Sequence, residues 1–367
     1  RKGTKVNLVA GFPWFGRWGR DTFISLPGLC IALNDWRMFR LAIDTMLEDF
    51  KDGFFPNIGE GTQAAYNSVD APLWFFWALQ QYAYINDRRK EVWQAYSHVM
   101  RSILENFSEG VSNVRMDSNF LLWQGEDGKA LTWMDAVIDG NPVTARKGYA
   151  VEINSLWYNA VMFYRELAKL QCEDGEIAKW DEFAANFPTN FKATFWSKEI
   201  GYLADCVDGS NKDFSVRCNM IFAASLEYSP ISPKIRQLIV EKVRQELLTP
   251  KGLRTLSPTH KDYHETYFGN QEQRDRAYHN GTVWPWLIGA FAEAFLRVYG
   301  KEAVNYIEQI YEGFGNILWD YCVGSIAEVY DGNPPYKAGG SISQAWSVAE
   351  VCRMKYMIDK CKQIKDA

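Results

Sequence analysis

The stretch "TVWPWLIGAFAEAFLRVYG" (282–300) runs directly into "KEAVNYIEQIYEGFGNILWDY" (301–321). The first segment is apolar nearly all round, which is typical of a helix buried on every side, whereas the second carries one charged face, which is typical of a helix with one side in water. The two segments therefore predict an inner helix paired with an outer helix. This pairing decides the fold if it recurs along the chain.

The pairing does recur. Six segments read as buried helices, namely 21–33, 70–85, 151–170, 216–228, 282–300 and 343–358. A charged, amphipathic segment follows each of the first five, namely 35–50, 87–107, 175–195, 232–248 and 301–321. Strand-like alternation is scarce, so we predict an all-α fold, an (α/α)6 toroid, and regard an open α-solenoid as the alternative with shorter, more regular repeats. The prediction is one domain over residues 1–367, with the sixth outer helix and an N-terminal domain expected upstream of residue 1.

The connections differ in length. Inner helices pass to outer helices through short turns, whereas outer helices return through long polar loops at 51–69, 108–150, 196–215, 249–281 and 322–342. Each of these loops leads into the N-terminal end of an inner helix, so the loops are expected to meet at one mouth of the toroid. Long loops in a compact fold are usually functional.

Local signals refine the helices. Asp21 and Asp70 are plausible N-caps of the first two inner helices. Pro27 predicts a kink in the first inner helix, and Pro188 a bend in the outer helix over 175–195.

Composition excludes several functions. The net charge is −5 and no basic run occurs, which argues against a nucleic-acid surface. No apolar run reaches the roughly 18 residues of a membrane helix. The seven cysteines form no CxxC pair and predict reduced, mostly buried thiols in the cytoplasm; they are Cys30, Cys172, Cys206, Cys218, Cys322, Cys352 and Cys361. Neither metal-ligand spacing nor a glycine-rich phosphate loop appears, so we expect no metal and no cofactor.

Aromatic residues make up 15% of the chain. Most are expected in the core, but five tryptophans in polar or glycine-containing contexts are equally consistent with a groove for sugars: Trp14, Trp18, Trp123, Trp133 and Trp284. Many carboxylates also lie in the long loops. Hydrolysis of a glycosidic bond needs two of them, one acid for the leaving oxygen and one base for water.

Several ordered blocks carry a resemblance, among them "GFPWFGRWGRDTFISLPG", "LTWMDA", "YHNGTVWPWLIGAF", "SIAEVYDG" and "GGSISQAWSVAEV". The chain resembles the C-terminal amylo-α-1,6-glucosidase domain of glycogen debranching enzymes. The resemblance implies a glucoamylase-like toroid that releases glucose from α-1,6 branch stubs of glycogen or limit dextrin with inversion at the anomeric carbon.

The resemblance also implies site residues. Asp135 in "TWMD" matches the general acid, with the apolar Trp133 beside it, and Glu328 in "IAEVYDG" matches the general base, with Asp331 as its rival. Arg20 and Asp21 resemble the pair that binds the terminal glucose in such enzymes. The alternative for Asp21 is an N-cap paired with Arg20, and both can hold at once.

Four further residues complete the predicted substrate site. Trp18 could stack on the terminal sugar, while Glu152, His279 and Trp284 are candidates for hydroxyl contacts and stacking platforms. The expected partner is an α-glucan or oligosaccharide, with no nucleic acid and no membrane, and the oligomeric state is left open. Two alternatives remain: an inverting exo-α-glucosidase acting on small oligosaccharides, and a non-catalytic carbohydrate-binding module.

Overall fold

The computed structural model describes residues 5–321 and 323–363. Within these residues the helices are α1 Gly19–Leu26, α2 Trp36–Leu47, α3 Ala71–Tyr84, α4 Arg89–Glu109, α5 Val151–Leu170, α6 Asp174–Ala178, α7 Asp181–Phe195, α8 Ile221–Ser225, α9 Pro233–Glu246, α10 Gln271–Tyr278, α11 Leu287–Tyr299, α12 Val304–Ile317 and α13 Ala345–Gln363. No helix among the described residues is long and apolar enough to cross a membrane.

The inner helices are α1, α3, α5, α8, α11 and α13. Each contacts the next, and α13 contacts α1, so these helices close on themselves. The helices α2, α4, α7, α9 and α12 pack outside them. The fold is therefore an α/α toroid, as the alternation of apolar and charged segments predicts.

Burial separates the two kinds of helix. In α3, twelve residues are buried, including the run from Ala71 to Gln80. In α9 only the stripe Ile235, Ile239, Val240 and Val243 is buried. Each fully buried leucine or phenylalanine contributes about 1.5–3 kcal/mol relative to its exposed state. Most of the stabilisation of the toroid therefore comes from the inner helices and the seams they share with the outer ones.

The end of α1 shows how tightly the inner helices approach. At Pro27 the helix changes to a π-helix over Pro27–Ile31, which agrees with the predicted irregularity there. Gly28 in this turn faces the carbonyl oxygen of Ala349 in α13, where any Cβ atom would clash. A glycine is thus needed for α13 to close against α1.

Two helix predictions require correction. The inner helix expected over 216–228 is only a 3-10 turn, Cys218–Met220, followed by α8, because Leu226 adopts an extended backbone and the Tyr228 N–H donates to Asn159 instead. The outer helix expected over 175–195 is interrupted between α6 and α7, so its break falls at residues 179–180, whereas Pro188 lies within the continuous α7.

Of the two predicted N-caps, Asp70 takes the cap position of α3 and Asp21 does not take that of α1. Asp21 lies inside the first turn of α1, whose cap position is Trp18, and no side chain caps that helix. Asp70 does precede α3, but its carboxylate makes no capping bond. It instead accepts hydrogen bonds from Arg20 and Ser68.

The long loops contain short antiparallel strands, which amends the all-α prediction. They are β1 Gly11–Phe12, β2 Val114–Met116, β3 Leu122–Gln124, β4 Val137–Ile138, β5 Asn141–Pro142, β6 Tyr149–Ala150, β7 Trp196–Ser197, β8 Tyr202–Leu203, β9 Cys206–Asp208, β10 Asn211–Asp213, β11 Leu248–Thr249, β12 Gly252–Arg254, β13 Val283–Trp284, β14 Val329–Tyr330, β15 Ala338–Gly339 and β16 Ser343–Gln344. Strands of two or three residues are too short to show alternation in the sequence.

These strands bring the loops to one mouth. The largest sheet has the order β11-β12-β13-β14-β15, with Leu253 opposite Trp284 and Val283 opposite Tyr330. It joins the loops 249–281 and 322–342 in front of α11. The pair β1–β16 sets Gly11 opposite Gln344 and so joins the entry to α1 with the entry to α13.

The described cysteines are all free thiols. Cys30, Cys206 and Cys218 are buried, whereas Cys172 is exposed. Cys322 lies outside the described residues.

Candidate active site

A pocket of about 360 Å³, partly open to solvent, lies at the mouth of the toroid. Seven of the predicted site residues line it: Trp18, Arg20, Asp21, Trp133, Asp135, Trp284 and Glu328. Only about 50 Å³ of this space is enclosed by the protein, so the site is small. Three carboxylates and several aromatic rings from different loops thus face one small space.

The first carboxylate, Asp135, lies beside a cation. Arg20 Nη1 donates to Asp135 Oδ2 at 3.2 Å, and Arg20 Nε donates to Asp70 Oδ2 at 2.7 Å. Arg20 and Asp70 are buried, whereas the Asp135 side chain is 29% exposed. Burial raises the pKa of Asp135 above its ordinary value, and the Arg20 charge opposes that rise. A carboxyl group whose pKa is raised and that faces a pocket is suited to be a general acid.

The second carboxylate, Glu328, has neutral partners. The Tyr278 hydroxyl donates to Oε1, and the Ser341 backbone N–H donates to Oε2 at 2.6 Å. Burial raises the pKa of Glu328 to about 7, while these two hydrogen bonds favour the charged form. Such a group can accept a proton from water near neutral pH.

The loop behind Glu328 depends on one glycine. Gly340 has a φ of +69°, a left-handed conformation that favours glycine, and a Cβ atom there would clash with Glu328 Oε2. The turn 340–341 can therefore fold close enough for the Ser341 N–H to reach the carboxylate.

The third carboxylate, Asp21, is connected to Glu328 through this loop. Gln344 Nε2 donates to Asp21 Oδ1 at 3.2 Å, and the Ser341 hydroxyl donates to Gln344 Oε1 at 2.6 Å. Burial raises the pKa of Asp21 to about 7, with Arg20 acting in the opposite direction and Asp135 and Glu328 adding to the rise. Asp21 is thus a buried acceptor at the base of the pocket rather than a helix cap.

Aromatic rings form the pocket wall. Trp133 meets Trp284 edge to face with ring centroids 5.5 Å apart, and its indole N–H donates to Asn219 at 2.7 Å. The Trp284 N–H donates to the Tyr278 carbonyl at 2.9 Å. Because their polar edges are already bonded within the protein, these two indoles offer the pocket mainly apolar surface, which suits the C–H face of a sugar ring.

Two predicted residues do not line the pocket. Glu152 is buried and accepts two hydrogen bonds from Arg146, which also bonds Asp205 Oδ2 at 2.7 Å. His279 is buried beneath the wall and stacks on Trp284, with ring centroids 5.6 Å apart. Burial and nearby cations hold the pKa of His279 well below its usual value, so this ring is neutral. The structure therefore brings neither residue to the cavity.

Asp331 and the remaining tryptophans also lie elsewhere. Asp331 Oδ1 accepts the Tyr267 backbone N–H at 2.6 Å and is not among the pocket-lining residues. Trp14 is 61% exposed and meets Phe15 edge-on, outside the pocket. Trp123 lies under the Arg115 guanidinium at 4.1 Å.

Four lining residues were not singled out from the sequence: Phe15, Tyr278, Gln344 and Trp346. All four lie in blocks that carried the resemblance or within one residue of such a block. Tyr278 directly precedes His279, and Gln344 lies next but one to Trp346 in "SISQAW". Their positions inside these blocks were thus the available sequence signal, because their residue types do not distinguish them from their neighbours.

Comparison with known proteins agrees with this geometry. The family model for amylo-alpha-1,6-glucosidase matches residues 1–353. The glycogen debranching enzyme of Saccharomyces cerevisiae is 25% identical over 391 aligned positions, which cover 80% of this chain and 25% of that enzyme. The chain thus spans about a quarter of the length of that relative.

Solved structures share the fold. A mannosylglycerate hydrolase of the GH63 family from Thermus thermophilus, solved with glucose, superposes with a TM-score of 0.69 at 14% identity, covering 97% of each chain. An uncharacterized conserved protein from the same organism gives a TM-score of 0.68 at 15% identity, again over 97% of each chain.

The family match, together with the carboxylates and aromatic rings at the mouth of the α/α toroid, identifies a glycoside hydrolase. The chain belongs to the amylo-alpha-1,6-glucosidase family.

Proposed function

We propose that this protein releases glucose from α-1,6 branch stubs of glycogen or limit dextrin by an inverting mechanism on an (α/α)6 toroid. The observation that carries the proposal is the convergence of Asp135, Glu328 and Asp21 on one small aromatic pocket in a chain of this family. A pocket of this size suits a single terminal sugar better than the middle of a long chain.

The roles follow from the surroundings of each carboxylate. Glu328 takes a proton from water, and the water oxygen forms a bond to the anomeric carbon. The bond from that carbon to the glycosidic oxygen breaks, and Asp135 gives its proton to the departing oxygen. Glu328 then carries one proton and Asp135 has lost one, so exchange with solvent restores both. Neither step requires a metal or a cofactor.

Asp21, Arg20 and the tryptophans serve binding in this proposal. Asp21 accepts hydrogen bonds from hydroxyls of the terminal glucose, and Trp18, Trp133 and Trp284 supply its apolar contacts. Glu152 and His279 support the wall from behind. The preference for Glu328 over Asp331 as base rests on pocket lining and on the bond that occupies Asp331. The free thiols support a cytoplasmic location.

A second candidate is an exo-acting hydrolase of small glycosides. The similarity to a mannosylglycerate hydrolase and the limited pocket volume favour this reading. The two candidates differ in the substrate portion beyond the reacting bond, so their rates on polymeric and small substrates separate them.

Product analysis tests the proposal. Glucose release is measured from limit dextrin, isomaltose and maltose, and the first anomer formed is identified by proton NMR. We expect the fastest release from the α-1,6 stub of limit dextrin, with β-glucose first. Faster release from isomaltose would favour the second candidate, initial α-glucose would contradict inversion, and binding without any release would identify a non-catalytic module.

A further inference from the structure

Arg20 sits between two acidic residues that have different surroundings. Its Nε donates to Asp70 at 2.7 Å, and its Nη1 donates to Asp135 at 3.2 Å. Asp70 is fully buried and does not line the pocket, whereas Asp135 does. The shorter contact is therefore made to the carboxylate that no substrate can reach.

Ser68 strengthens this arrangement. Its hydroxyl donates to Asp70 Oδ1 and accepts from Arg20 Nη2 at 3.2 Å. Both oxygens of Asp70 are thus bonded, one by the guanidinium and one by the hydroxyl. Asp70 is therefore the buried ion-pair partner of Arg20.

An arginine beside a general acid poses a chemical problem. The acid has to hold its proton until the glycosidic oxygen departs, but a neighbouring guanidinium stabilises the carboxylate and lowers its pKa by about 1–3 pH units. Burial raises the pKa of Asp135 in spite of Arg20, and the Asp70 charge acts in the same direction as burial.

We propose that Asp70 is a positioning residue for the general acid. It holds Arg20 and balances its charge, so that Arg20 can orient Asp135 without stabilising the deprotonated form of that acid. This inference rests on the proposed function, since it gives Asp135 the acid role. It assigns a task to a buried residue that touches neither substrate nor pocket.

The orientation follows from donor chemistry. A guanidinium has only N–H donors, so the Asp135 oxygen that it contacts, Oδ2, has to act as an acceptor. The unprotonated oxygen is the better acceptor, so this contact favours the acidic proton on Oδ1. Arg20 thus selects which oxygen delivers the proton, while Asp70 keeps that proton in place.

Other charged groups act on Asp135 from several elements. Arg20 and Asp21 belong to α1, Tyr278 ends α10, and Asp70 and Glu328 precede α3 and β14. The groups that interact electrostatically with Asp135 are Arg20, Asp21, Asp70, Tyr278 and Glu328. Arg20 is the cation among them, so the charge opposite Arg20 controls how strongly the carboxylate form of Asp135 is favoured.

The test is the pH profile of kcat/KM for Asp70→Asn. The amide keeps an oxygen for Arg20 but removes the balancing charge, so the alkaline limb should move to lower pH by about one pH unit or more. Activity on α-glucosyl fluoride, whose leaving group needs no proton, should be spared. A loss of activity that is uniform across pH and equal on both substrates would show a merely structural role and overturn the proposal.

Two further variants keep the proposal falsifiable if Asp70→Asn does not fold. Ser68→Ala removes a neutral partner of the same cluster and should leave the alkaline limb in place. Arg20→Gln removes the cation and leaves Asp70 beside Asp135, so the limb should stay or move to higher pH even if binding suffers. A shift of the alkaline limb to lower pH in Arg20→Gln would contradict the proposal.

A direct measurement separates this inference from the proposed function. The Asp135 carboxyl is followed by ¹³C NMR as the titrating signal that is absent from Asp135→Asn. Its pKa should be lower in Asp70→Asn than in the wild type. That result would support the charge balance even if the protein released no glucose, whereas an unchanged pKa would overturn it even in an active enzyme.

Discussion

Two of the buried ion-pair clusters in the described part of the chain have the same arrangement, with one arginine between two carboxylates. In the open cluster Arg20 lies between Asp70 and Asp135, and the Asp135 side chain is 29% exposed to the pocket. In the closed cluster Arg146 lies between Glu152 and Asp205, whose side chains are each 1% exposed.

The bonding of the carboxylates explains the difference. Arg146 contacts both oxygens of Glu152, and Asp205 accepts from Arg146 on one oxygen and from Asn219 on the other at 2.8 Å. All four carboxylate oxygens of the closed cluster are therefore occupied within the protein. A buried arginine between two carboxylates is thus not by itself a functional site. The open cluster differs because one of its carboxylates, that of Asp135, faces a cavity.

The largest expected effect distinguishes the two acids that face the pocket. Asp135→Asn should reduce hydrolysis of an α-1,6 stub by about 10²–10⁴-fold while sparing much of the activity on α-glucosyl fluoride. Glu328→Gln should reduce both, because water needs activation for either substrate. Initial rates on the two substrates provide the measurement.

Asp331→Asn is the matched control for this pair. It changes a carboxylate three residues from Glu328 that already holds the Tyr267 N–H, and we expect near wild-type rates. If Asp331→Asn lost activity and Glu328→Gln did not, the base would be Asp331. Equal loss of fluoride hydrolysis in Asp135→Asn and Glu328→Gln would leave the two roles unassigned.

The next effect is on stability and belongs to the closed cluster. Glu152→Gln replaces one of the two oxygens that accept from Arg146 with an NH2 group, so one buried guanidinium N–H loses its acceptor and the free energy of unfolding should fall by about 1–3 kcal/mol. Denaturant unfolding followed by circular dichroism measures it. The folded fraction should keep the pH profile of the wild type.

If Glu152→Gln were as stable as the wild type but bound substrate poorly, the closed cluster would not be purely structural. Glu152 would then act toward the ligand after all. Asp135→Asn serves as the counterpart in the open cluster, where we expect a much smaller change in unfolding free energy than in activity.

A third effect is the pH dependence of stability at the pocket. The pKa values of Asp21 and Glu328 are raised by burial to about 7, from ordinary values of 3.8 and 4.5. In this window the folded state binds more protons than the unfolded state, so the stability is fully present below about pH 4 and is lost as the pH rises through 7. Each group should contribute about 2–4 kcal/mol to this loss.

Unfolding free energies at pH 5 and pH 8 test this difference. The wild type should lose more stability between the two pH values than Glu328→Gln, which no longer has a titrating group at that position. Identical losses in the two proteins would mean that the Glu328 pKa is not raised in the folded state.

The arrangement of helices was largely predictable from the sequence, because six apolar and five charged segments alternate over the whole chain. Seven of the nine predicted site residues line the pocket, and the ordered blocks around them were the signal that singled them out. The sheets at the mouth were not predictable, since a strand such as Val283–Trp284 has too few residues to show a period.

The differences between expectation and structure share one physical cause: position along a helix does not give the direction of a side chain or its partner. Glu152 starts an inner helix as Asp21 does, but Arg146, six residues earlier, folds back onto it. Asp21 was predicted as a cap but lies in the first turn of α1 and bonds Gln344, and Asp70 takes the cap position of α3 while its side chain bonds Arg20. Such pairings depend on how separate loops meet, which local patterns do not encode.

The smallest expected effect comes from replacing Asp21, the acceptor beside the open cluster. Asp21→Asn keeps an oxygen that can accept from Gln344 but removes the charge offered to the sugar hydroxyls, so kcat/KM should fall by the equivalent of about 1.5–3 kcal/mol on every substrate that ends in glucose. The loss should be larger at pH 8 than at pH 6, because the pKa of Asp21 is about 7 and the wild-type carboxyl is already mostly protonated at the lower pH. Rates of both proteins at the two pH values, with Asp331→Asn as the control, measure it. A loss that is the same at both pH values would mean that Asp21 acts through its shape and not its charge, and unchanged kinetics would remove it from the binding site.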